Sequence, residues 1–302
     1  MTDNNKHVAK RRKVENYELY DLLNLNERNE EDRKKLDNDA VIRVVQQKPK
    51  LAAQEYSFSL YDSCVPLIKA IMLRAPVEVI DALCCPEALS WTTRALHEAL
   101  KHSASYDVIA LLLEKQPNAI KEKDSRDFTI LHVACYDRAP LEIVSLLLDR
   151  WPEATKEKTW IDDTPLHVAC WRRTRTELDV ILLLLDEYPE AIQETNDYGK
   201  TPADIAEERN VPTDAQKLLS SISNLFYDEL LKETLEKTMS FLIDIQWWKG
   251  VWLVFKRHPA IAQTINLDTS VKAYFLSATG YYCKLTSMWE VIRNEQDILA
   301  DV

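Results

Sequence analysis

A seven-residue phrase that returns at a nearly fixed interval is the feature that most constrains the fold of this chain. In its fullest form the phrase is Thr-Pro-Leu-His-Val-Ala-Cys, at 164–170. Related phrases begin 35 residues upstream at Thr129, 70 residues upstream at Arg94 and 37 residues downstream at Thr201. A repeat of about 20 to 50 residues predicts an array of stacked units, because each unit covers the apolar face of its neighbour.

The residue types of the phrase indicate the start of a helix. A Thr hydroxyl accepts a hydrogen bond from the free amides of a first helical turn. A Pro at the first helical position lacks the amide hydrogen that would otherwise be unpaired. The Leu and the Ala that follow then point at a neighbouring element, so each phrase is expected to open a short helix.

Prolines mark the end of a second helix in each unit, because Pro cannot continue a helix and restricts the residue before it. The prolines at 49, 86, 117, 152 and 189 are separated by 37, 31, 35 and 37 residues. The gap from Pro189 to Pro259 is 70 residues, which is twice 35. This doubled gap indicates that one repeat has lost its loop, and it predicts a further unit at 225–260. Helical periodicity at 225–231 and 238–242 would form its first part, and its second helix would contain Trp247, Trp248 and Trp252.

The phrase at 164–169 resembles the ankyrin repeat, because it matches the signature Thr-Pro-Leu-His-x-Ala in full. The Leu, the His and the Ala are all present in three of the four copies. The resemblance implies an all-α fold, an ankyrin-type α-solenoid of helix-turn-helix repeats with about six to seven units. The array is divergent, since an ankyrin consensus ends its second helix with Gly and only three glycines occur here. The resemblance covers 40–212, and from 213 to 302 it rests on spacing alone.

We predict three parts along the chain. Residues 1–38 form a flexible, charged N-terminal segment with a short helix, and 39–220 form the ankyrin repeat array. Residues 221–302 are either divergent terminal repeats or a separate helical cap. Terminal repeats are expected to be atypical, because one of their faces has no neighbour to cover it.

The charge and the cysteines exclude several classes of function. A formal net charge of −11 opposes binding to nucleic acid or to an anionic membrane surface. The six cysteines lie mostly within apolar helical patterns, which indicates reduced thiols in the cytoplasm or the nucleus. The N-terminus carries no apolar segment typical of a signal peptide. The longest aliphatic run, 180–185, is too short to span a bilayer.

No catalytic, cofactor or metal site is expected. The His-x-x-Cys pairs at 132–135 and 167–170 each lie on one helical face, as zinc ligands would. The His, however, belongs to the repeat phrase, and in the ankyrin family it bonds locally and to the adjacent repeat. His97 and His102 are five residues apart, about 140° around a helix, so they cannot share a ligand. An enzyme in 213–302 would have only His258 and Cys283, without a paired motif.

The resemblance also implies where a partner would bind. In ankyrin repeats the contacts come from the loop before the phrase and from the residues after its small pair. Trp, Tyr and Arg dominate the energetics of interfaces, and several occur at these positions. The partner-binding residues carried over by position are Arg126, Phe128, Tyr136, Trp160, Ile161, Trp171, Arg172 and Tyr198.

We therefore expect a monomeric, non-catalytic protein-protein interaction module, an ankyrin repeat scaffold or adaptor. It would bind an unidentified protein partner through its concave loop-and-helix face, without cofactors, nucleic acid or membrane. The alternative is a nuclear regulatory adaptor directed by the basic tail Lys10–Lys13, with the C-terminal helices binding a second partner. The same basic run is also typical of a solvated tail.

Overall fold

The computed structural model describes residues 18–58, 63–91, 94–171, 178–227 and 231–258. The regular elements of these residues are helices, which confirms the all-α fold class. No strand occurs among them, although two isolated β-bridges join Tyr56 to Cys64 and Lys123 to Thr129. The chain divides into two compact units, 1–160 and 161–302. The basic run 10–13 lies outside the described residues.

The first unit is built mainly of short antiparallel helix pairs. Its helices are α1 (Glu18–Leu23), α2 (Glu30–Arg33), α3 (Asn38–Gln47), α4 (Pro66–Met72), α5 (Val77–Leu83), α6 (Pro86–Trp91), α7 (Ala95–Lys101), α8 (Tyr106–Lys115), α9 (Ile130–Asp137) and α10 (Leu141–Arg150). The first helices of successive pairs, α4, α7 and α9, pack on one another in chain order. The second helices α3, α5, α8 and α10 do the same. Among the described residues of both units, no helix combines the length and the apolar character needed to cross a membrane.

The repeated phrase opens helices in the expected way. Thr129 lies just before α9, and its hydroxyl accepts a hydrogen bond from the backbone N–H of His132. The backbone N–H of Thr129 in turn donates to Nδ1 of His132 over 3.2 Å. The stretch Val65-Pro66-Leu67, which the phrase pattern does not predict as a further copy, opens α4 without a side-chain cap. Val65 has no side-chain oxygen that could accept a hydrogen bond, so this start lacks the cap that a Thr supplies elsewhere.

Prolines follow the second helices as predicted. The residue before Pro49, Pro117, Pro152 and Pro189 leaves the helical region, with φ of −134° at Gln116 and −151° at Trp151, whereas Pro86 begins the helix α6. The other four prolines each begin a 3₁₀ turn, which the sequence pattern does not predict. These turns span Pro49–Ala53, Pro117–Lys121, Pro152–Lys156 and Pro189–Gln193. The Ala two residues after Pro117, Pro152 and Pro189 is buried in each case, so the turn packs its own small apolar residue.

Left-handed residues occur after the first helices. In the first unit these are Arg74 after α4, Ser103 after α7 and Arg138 after α9, with φ of 57°, 53° and 55°. Asn210 and Gln246 occupy the same place in the second unit. A positive φ at the C-terminus of a helix favours Gly, yet none of these five residues is Gly.

The described part of the N-terminal segment begins with the short helix α1, and its residues 28–36 are exposed or half-buried. Leu19 and Leu23 of α1 are fully buried. Glu27 forms a buried ion pair with Lys69 of α4, in which Oε2 and Nζ are 2.7 Å apart. The packing of α1 on α4 and this ion pair attach the segment to α4.

The second unit continues with helix pairs. Its helices are α11 (Pro165–Cys170), α12 (Leu178–Glu187), α13 (Pro202–Arg209), α14 (Thr213–Asn224), α15 (Lys232–Asp244) and α16 (Trp248–Arg257). α15 and α16 pack as a pair, and Trp247 lies just before α16 rather than within it. The helical periodicity predicted at 225–231 is wrong for 225–227, which form a turn after α14. Residues 259–302, with the remaining predicted helices, lie outside the described residues.

Candidate partner-binding face

The loop before α9 is shaped by one aspartate. The carboxylate oxygen Oδ1 of Asp124 accepts hydrogen bonds from the backbone N–H of Arg126 over 2.8 Å and of Phe128 over 2.9 Å. Asp127 takes the left-handed conformation at the tip, with φ of 58°. The loop therefore uses its acidic residues to fix its backbone, and it leaves the side chain of Arg126 exposed.

Aromatic side chains surround this loop. The rings of Phe128 and Tyr136 meet edge to face, with centroids 6.3 Å apart. The backbone N–H of Trp160 donates to the carbonyl oxygen of Arg126 over 3.2 Å, which holds two consecutive loops side by side. Trp160 is 62% exposed and Tyr136 is 38% exposed. We call Arg126, Phe128, Tyr136 and Trp160 the loop face of the first unit.

Buried histidines set the position of these loops. Nε2 of His97 lies 3.2 Å from the carbonyl oxygen of Phe128, so it must carry the proton and donate. In the second unit Nε2 of His167 lies 3.1 Å from the carbonyl oxygen of Lys200. His167 thus bonds both to Thr164 at the start of its own helix and to the loop before the next phrase, whereas His97 makes only the second kind of bond.

The second unit has a loop of the same kind before α13. The side-chain oxygen of Asn196 accepts hydrogen bonds from the backbone N–H of Tyr198 and of Lys200. Its amide nitrogen donates to Oδ1 of the buried Asp163 over 2.8 Å. Burial raises the pKa of Asp163, which this hydrogen bond opposes. Gly199 supplies the left-handed residue, and Tyr198 is left 65% exposed.

Two of the predicted contact residues are covered by other parts of the chain. Ile161 is only 8% exposed, so little of its side chain is accessible to a partner. Its carbonyl oxygen instead accepts the backbone N–H of Asp197 over 3.0 Å. Trp171 is half-buried, and the guanidinium carbon of Arg209 lies 5.3 Å from its ring centroid. Arg172 lies outside the described residues.

The structure describes five of the six histidines and five of the six cysteines, the residue types on which metal binding or catalysis could depend. No group of three or more metal-ligating side chains comes together within the described parts of the chain. Burial raises the pKa of Cys135 to about 12 and that of Cys64 to about 11, so both are protonated thiols near neutral pH. Nε2 of His258 is hydrogen-bonded to the carbonyl oxygen of Leu225 over 2.9 Å. Cys283 lies outside the described residues.

The tryptophans of the last unit fit either a core or an exposed aromatic surface by sequence, and the structure distinguishes the two. Trp247 is 7% exposed, and its indole N–H donates to Oδ1 of Asp186 over 2.6 Å. Trp248 and Trp252 are half-buried. Trp247 is therefore a core residue, and none of the three is as exposed as Trp160 or Tyr198.

The polar residues that shape the loops are not among the residues predicted from the sequence. Asp124 and Asn196 occupy the first position of tight turns, where a short side chain can bond to the backbone two residues further on. The signal was present, since each lies five residues before the Thr of a phrase. Asp163 could not have been identified in this way, because its partner is 33 residues away.

No family model matches the chain, and no curated protein matches it either. Solved structures similar to it include a complex of a predatory endopeptidase with an immunity protein, from Bdellovibrio bacteriovorus. The matched chain is 18% identical, and the match covers 61% of this chain and 95% of the other, with a TM-score of 0.47. This likeness is too weak to carry an argument about family or function.

Proposed function

We propose that the chain is a non-catalytic protein-protein interaction module, an ankyrin-type α-solenoid that binds a partner protein through its loops and the ends of its first helices. The observation that carries this proposal is that polar and aromatic residues have different roles within the loops. Their polar residues, such as Asp124 and Asn196, are used to fix the backbone. Their aromatic residues Trp160 and Tyr198 are instead left 62% and 65% exposed.

Exposed rings at these positions are not needed by the fold. An exposed Trp or Tyr on a rigid loop loses little conformational entropy when a partner covers it, and such residues dominate interface energetics. Tyr136 is held by its edge-to-face contact with Phe128, so its orientation is set before any partner arrives. The loop face of the first unit therefore has the character of a prepared contact surface.

Features within each unit support the ankyrin type. The Thr-x-x-His capping boxes at 129–132 and 164–167 recur with the period of the phrase. The left-handed loop residues Asp127 in the first unit and Asp162 and Gly199 in the second share that period. The described cysteines are thiols outside any disulfide, which favours the cytoplasm or the nucleus as the location.

An affinity capture from native lysate tests the proposed function. The wild-type chain is compared with a variant that carries Tyr136→Ala, Trp160→Ala and Trp171→Ala. A matched control carries Tyr106→Ala and Tyr227→Ala, which remove exposed aromatic rings from other surfaces. Circular dichroism establishes that all three proteins keep the same helicity.

We expect the same protein to be captured by the wild type and the control and to be lost from the triple variant. Equal capture by all three proteins would show that the loops are not the binding surface. Turnover of a substrate by the purified chain would contradict its non-catalytic character.

A further inference from the structure

Two adjacent cysteines lie where the first unit departs from its repeat pattern. Cys84 follows the last residue of α5, and Cys85 lies directly before Pro86, which begins α6 where other repeats have a 3₁₀ turn. Both thiols are half-buried, whereas Cys135 is buried. The two sulfur-bearing side chains are therefore partly accessible to a small reagent in solution.

The backbone turns sharply between α5 and α6. Cys84 has φ of −77° and ψ of 59°, the conformation of an inverse γ-turn. The backbone N–H of Cys85 donates to the carbonyl oxygen of Leu83 over 2.9 Å, which closes this turn. Cys84 lies close to the ion pair of Asp81 with Lys115, which joins α5 to α8 over 2.8 Å.

Cys85 caps α6 with its sulfur atom. Sγ of Cys85 accepts a hydrogen bond from the backbone N–H of Ala88 over 3.4 Å. Sulfur is a weak acceptor, and helix starts usually take Ser, Thr, Asp or Asn at this place, as α9 takes Thr129. The cap therefore does not require a thiol, and a second thiol beside it adds nothing to the cap.

The attachment of α6 makes it sensitive to this cap. Ala88 and Leu89 are buried, and α6 packs on the turn Pro49–Ala53. The carbonyl oxygen of Leu89 accepts a hydrogen bond from Nε2 of Gln116 over 2.6 Å. A helix of six residues is too short to be stable without such contacts, so loss of its cap should loosen it.

We propose that Cys84 and Cys85 are a redox-sensitive pair, which a small disulfide such as oxidised glutathione converts into a disulfide bond between the two residues. Sγ of Cys85 attacks first and bonds to one glutathione sulfur, while the other glutathione leaves as a thiolate. Sγ of Cys84 then attacks Sγ of Cys85 and displaces the second glutathione. Two protein thiols are oxidised, the disulfide of the reagent is reduced, and the two protons pass to the released glutathione thiolates.

The surroundings of Cys84 set the order of the two steps. Burial raises the pKa of Cys84 to about 12, and the charge of Asp81 acts in the same direction, whereas the charge of Lys115 opposes them. Cys84 is thus a protonated thiol near neutral pH, and it must lose its proton before it attacks. The second step is therefore the slower one, and the mixed disulfide at Cys85 forms first.

The bond between adjacent residues is reversible and changes α6. Adjacent Cα atoms are about 3.8 Å apart, below the range of about 4.4–6.8 Å found in most disulfides. Strained, accessible disulfides are readily reduced, and those of reducing compartments usually serve redox sensing. Formation of the bond also draws Sγ of Cys85 away from the backbone N–H of Ala88, so oxidation removes the cap of α6.

Oxidation of the folded, full-length chain tests the proposal. The chain is incubated with graded ratios of oxidised to reduced glutathione, the remaining thiols are alkylated, and the peptides are identified by mass spectrometry. Cys84→Ser and Cys85→Ser each remove one sulfur atom of the pair. Cys64→Ser is the matched control, because Cys64 is a half-buried cysteine elsewhere in the first unit. Hydrogen exchange of the α6 amides reports the state of the cap.

In the wild type and in Cys64→Ser, we expect the peptide with both cysteines to gain one glutathione and then to lose it together with two hydrogen atoms. Cys84→Ser should keep the glutathione on Cys85. The α6 amides of the wild type should exchange about fivefold faster after oxidation, the factor expected for loss of a cap. Cys85→Ser keeps an acceptor for Ala88, so its α6 amides should not respond to the reagent.

Several results would overturn the proposal. The pair could stay reduced in the folded chain at every ratio of the two glutathione forms, or oxidation of the wild type could stop at the mixed disulfide. A disulfide that joins either cysteine to Cys64 or to a second chain would also contradict it. If the bond forms and α6 exchanges at an unchanged rate, the cap at Ala88 does not connect oxidation to the fold.

Discussion

The Thr that precedes each phrase histidine decides whether the buried imidazole is satisfied. Nδ1 of His132 and Nδ1 of His167 each accept the backbone N–H of the preceding Thr over 3.2 Å. At the earlier copy Arg94 replaces the Thr, and Nδ1 of His97 is buried without a hydrogen-bond partner in the described structure. Arg94 has neither the hydroxyl nor the extended backbone of Thr129, with ψ of 0° against 168°, so it supplies no donor to Nδ1 of His97.

The cap at Thr164 gives a first prediction. Thr164→Val keeps the shape of the side chain but removes the hydroxyl that lies 2.8 Å from Nδ1 of His167. We expect the free energy of unfolding to fall by about 1 kcal/mol, the usual cost of losing a side-chain cap. Denaturant unfolding of Thr164→Val and Thr164→Ser measures it. The serine variant, which retains the hydroxyl, should lose less stability, and equal losses would contradict a role for the cap.

The unpaired nitrogen of His97 makes stability depend on pH. Burial lowers the pKa of His97 from its ordinary value of 6.5, although the bond to Phe128 opposes this. Protonation would add an N–H at Nδ1, where the described residues offer no acceptor. The folded pKa lies below the unfolded pKa, so stability is complete above the unfolded pKa and is lost as the pH falls toward the folded one.

We therefore expect the free energy of unfolding to decrease from about pH 7.5 to about pH 5.5. Burial also lowers the pKa of His102, so part of this decrease will belong to that residue. Comparison with His97→Gln isolates the contribution of His97, because Gln does not titrate. If the wild type and His97→Gln lose stability in parallel over this range, His97 does not contribute.

The first helix α4 lacks the phrase at its start and is stabilised in a different way. Lys69 of α4 is 1% exposed, and Glu27 supplies the opposite charge from the loop between α1 and α2. The Phe58 ring centroid lies 5.5 Å from the Lys69 ammonium. Burial is the largest influence on Glu27 and opposes its ionisation, but the hydrogen bond and charge of Lys69, a backbone hydrogen bond and the charge of Arg28 together outweigh it and lower the pKa of that carboxyl. The N-terminal segment is therefore attached to α4 by charge as well as by Leu19 and Leu23.

Removal of one partner of this ion pair should be severe. Lys69→Met leaves the buried carboxylate of Glu27 unpaired, and we expect a loss of about 3–5 kcal/mol. The double variant Lys69→Met with Glu27→Leu removes both charges and should recover most of that loss. A double-mutant cycle by denaturant unfolding measures the coupling, with Lys48→Met with Glu18→Leu at an exposed ion pair as the control. A single variant as stable as the double variant would contradict a buried charge at Glu27.

The sequence predicted helices where a phrase or a Pro marked one end. The starts of α9, α11 and α13 follow from Thr129, Thr164 and Thr201, because an N-terminal cap depends on residues only three positions apart. The ion pair of Glu27 with Lys69 could not be predicted, since the two residues are 42 positions apart. In the partner set, Trp160 and Tyr198 are exposed as required, whereas burial of Ile161 depends on packing that the local sequence does not record.

At the scale of the whole molecule, the sequence period does not show where the chain divides. The phrases at Thr129 and Thr164 are 35 residues apart, the same spacing as within the first unit, yet the division falls between them at 160 and 161. A repeat period reports which residues build each unit. It does not report where the chain divides into compact units, because that division depends on side chains that vary between repeats.

The last described helix pair, α15 and α16, allows a test of whether a local change destabilises only nearby helices, as expected for stacked repeats. Trp247 and Lys249 bind Asp186 of α12, with N–O distances of 2.6 Å and 3.4 Å. A β-carbon at Gly250 would overlap the Trp247 ring, so Gly250 gives the indole its room. Trp247→Phe removes the donor to Asp186, which should cost about 1.5–3 kcal/mol.

Hydrogen exchange over the whole chain measures where this cost appears. In a stack with nearest-neighbour stability, amides of α15 and α16 should exchange faster in Trp247→Phe and in Gly250→Ala, while those of α7 and α9 stay protected. Gly250→Ala tests the packing of the ring without removing the indole N–H. Trp248→Phe is the matched control, because it changes the neighbouring, half-buried Trp at the start of α16. Faster exchange throughout the chain would show instead that the molecule unfolds as one cooperative body.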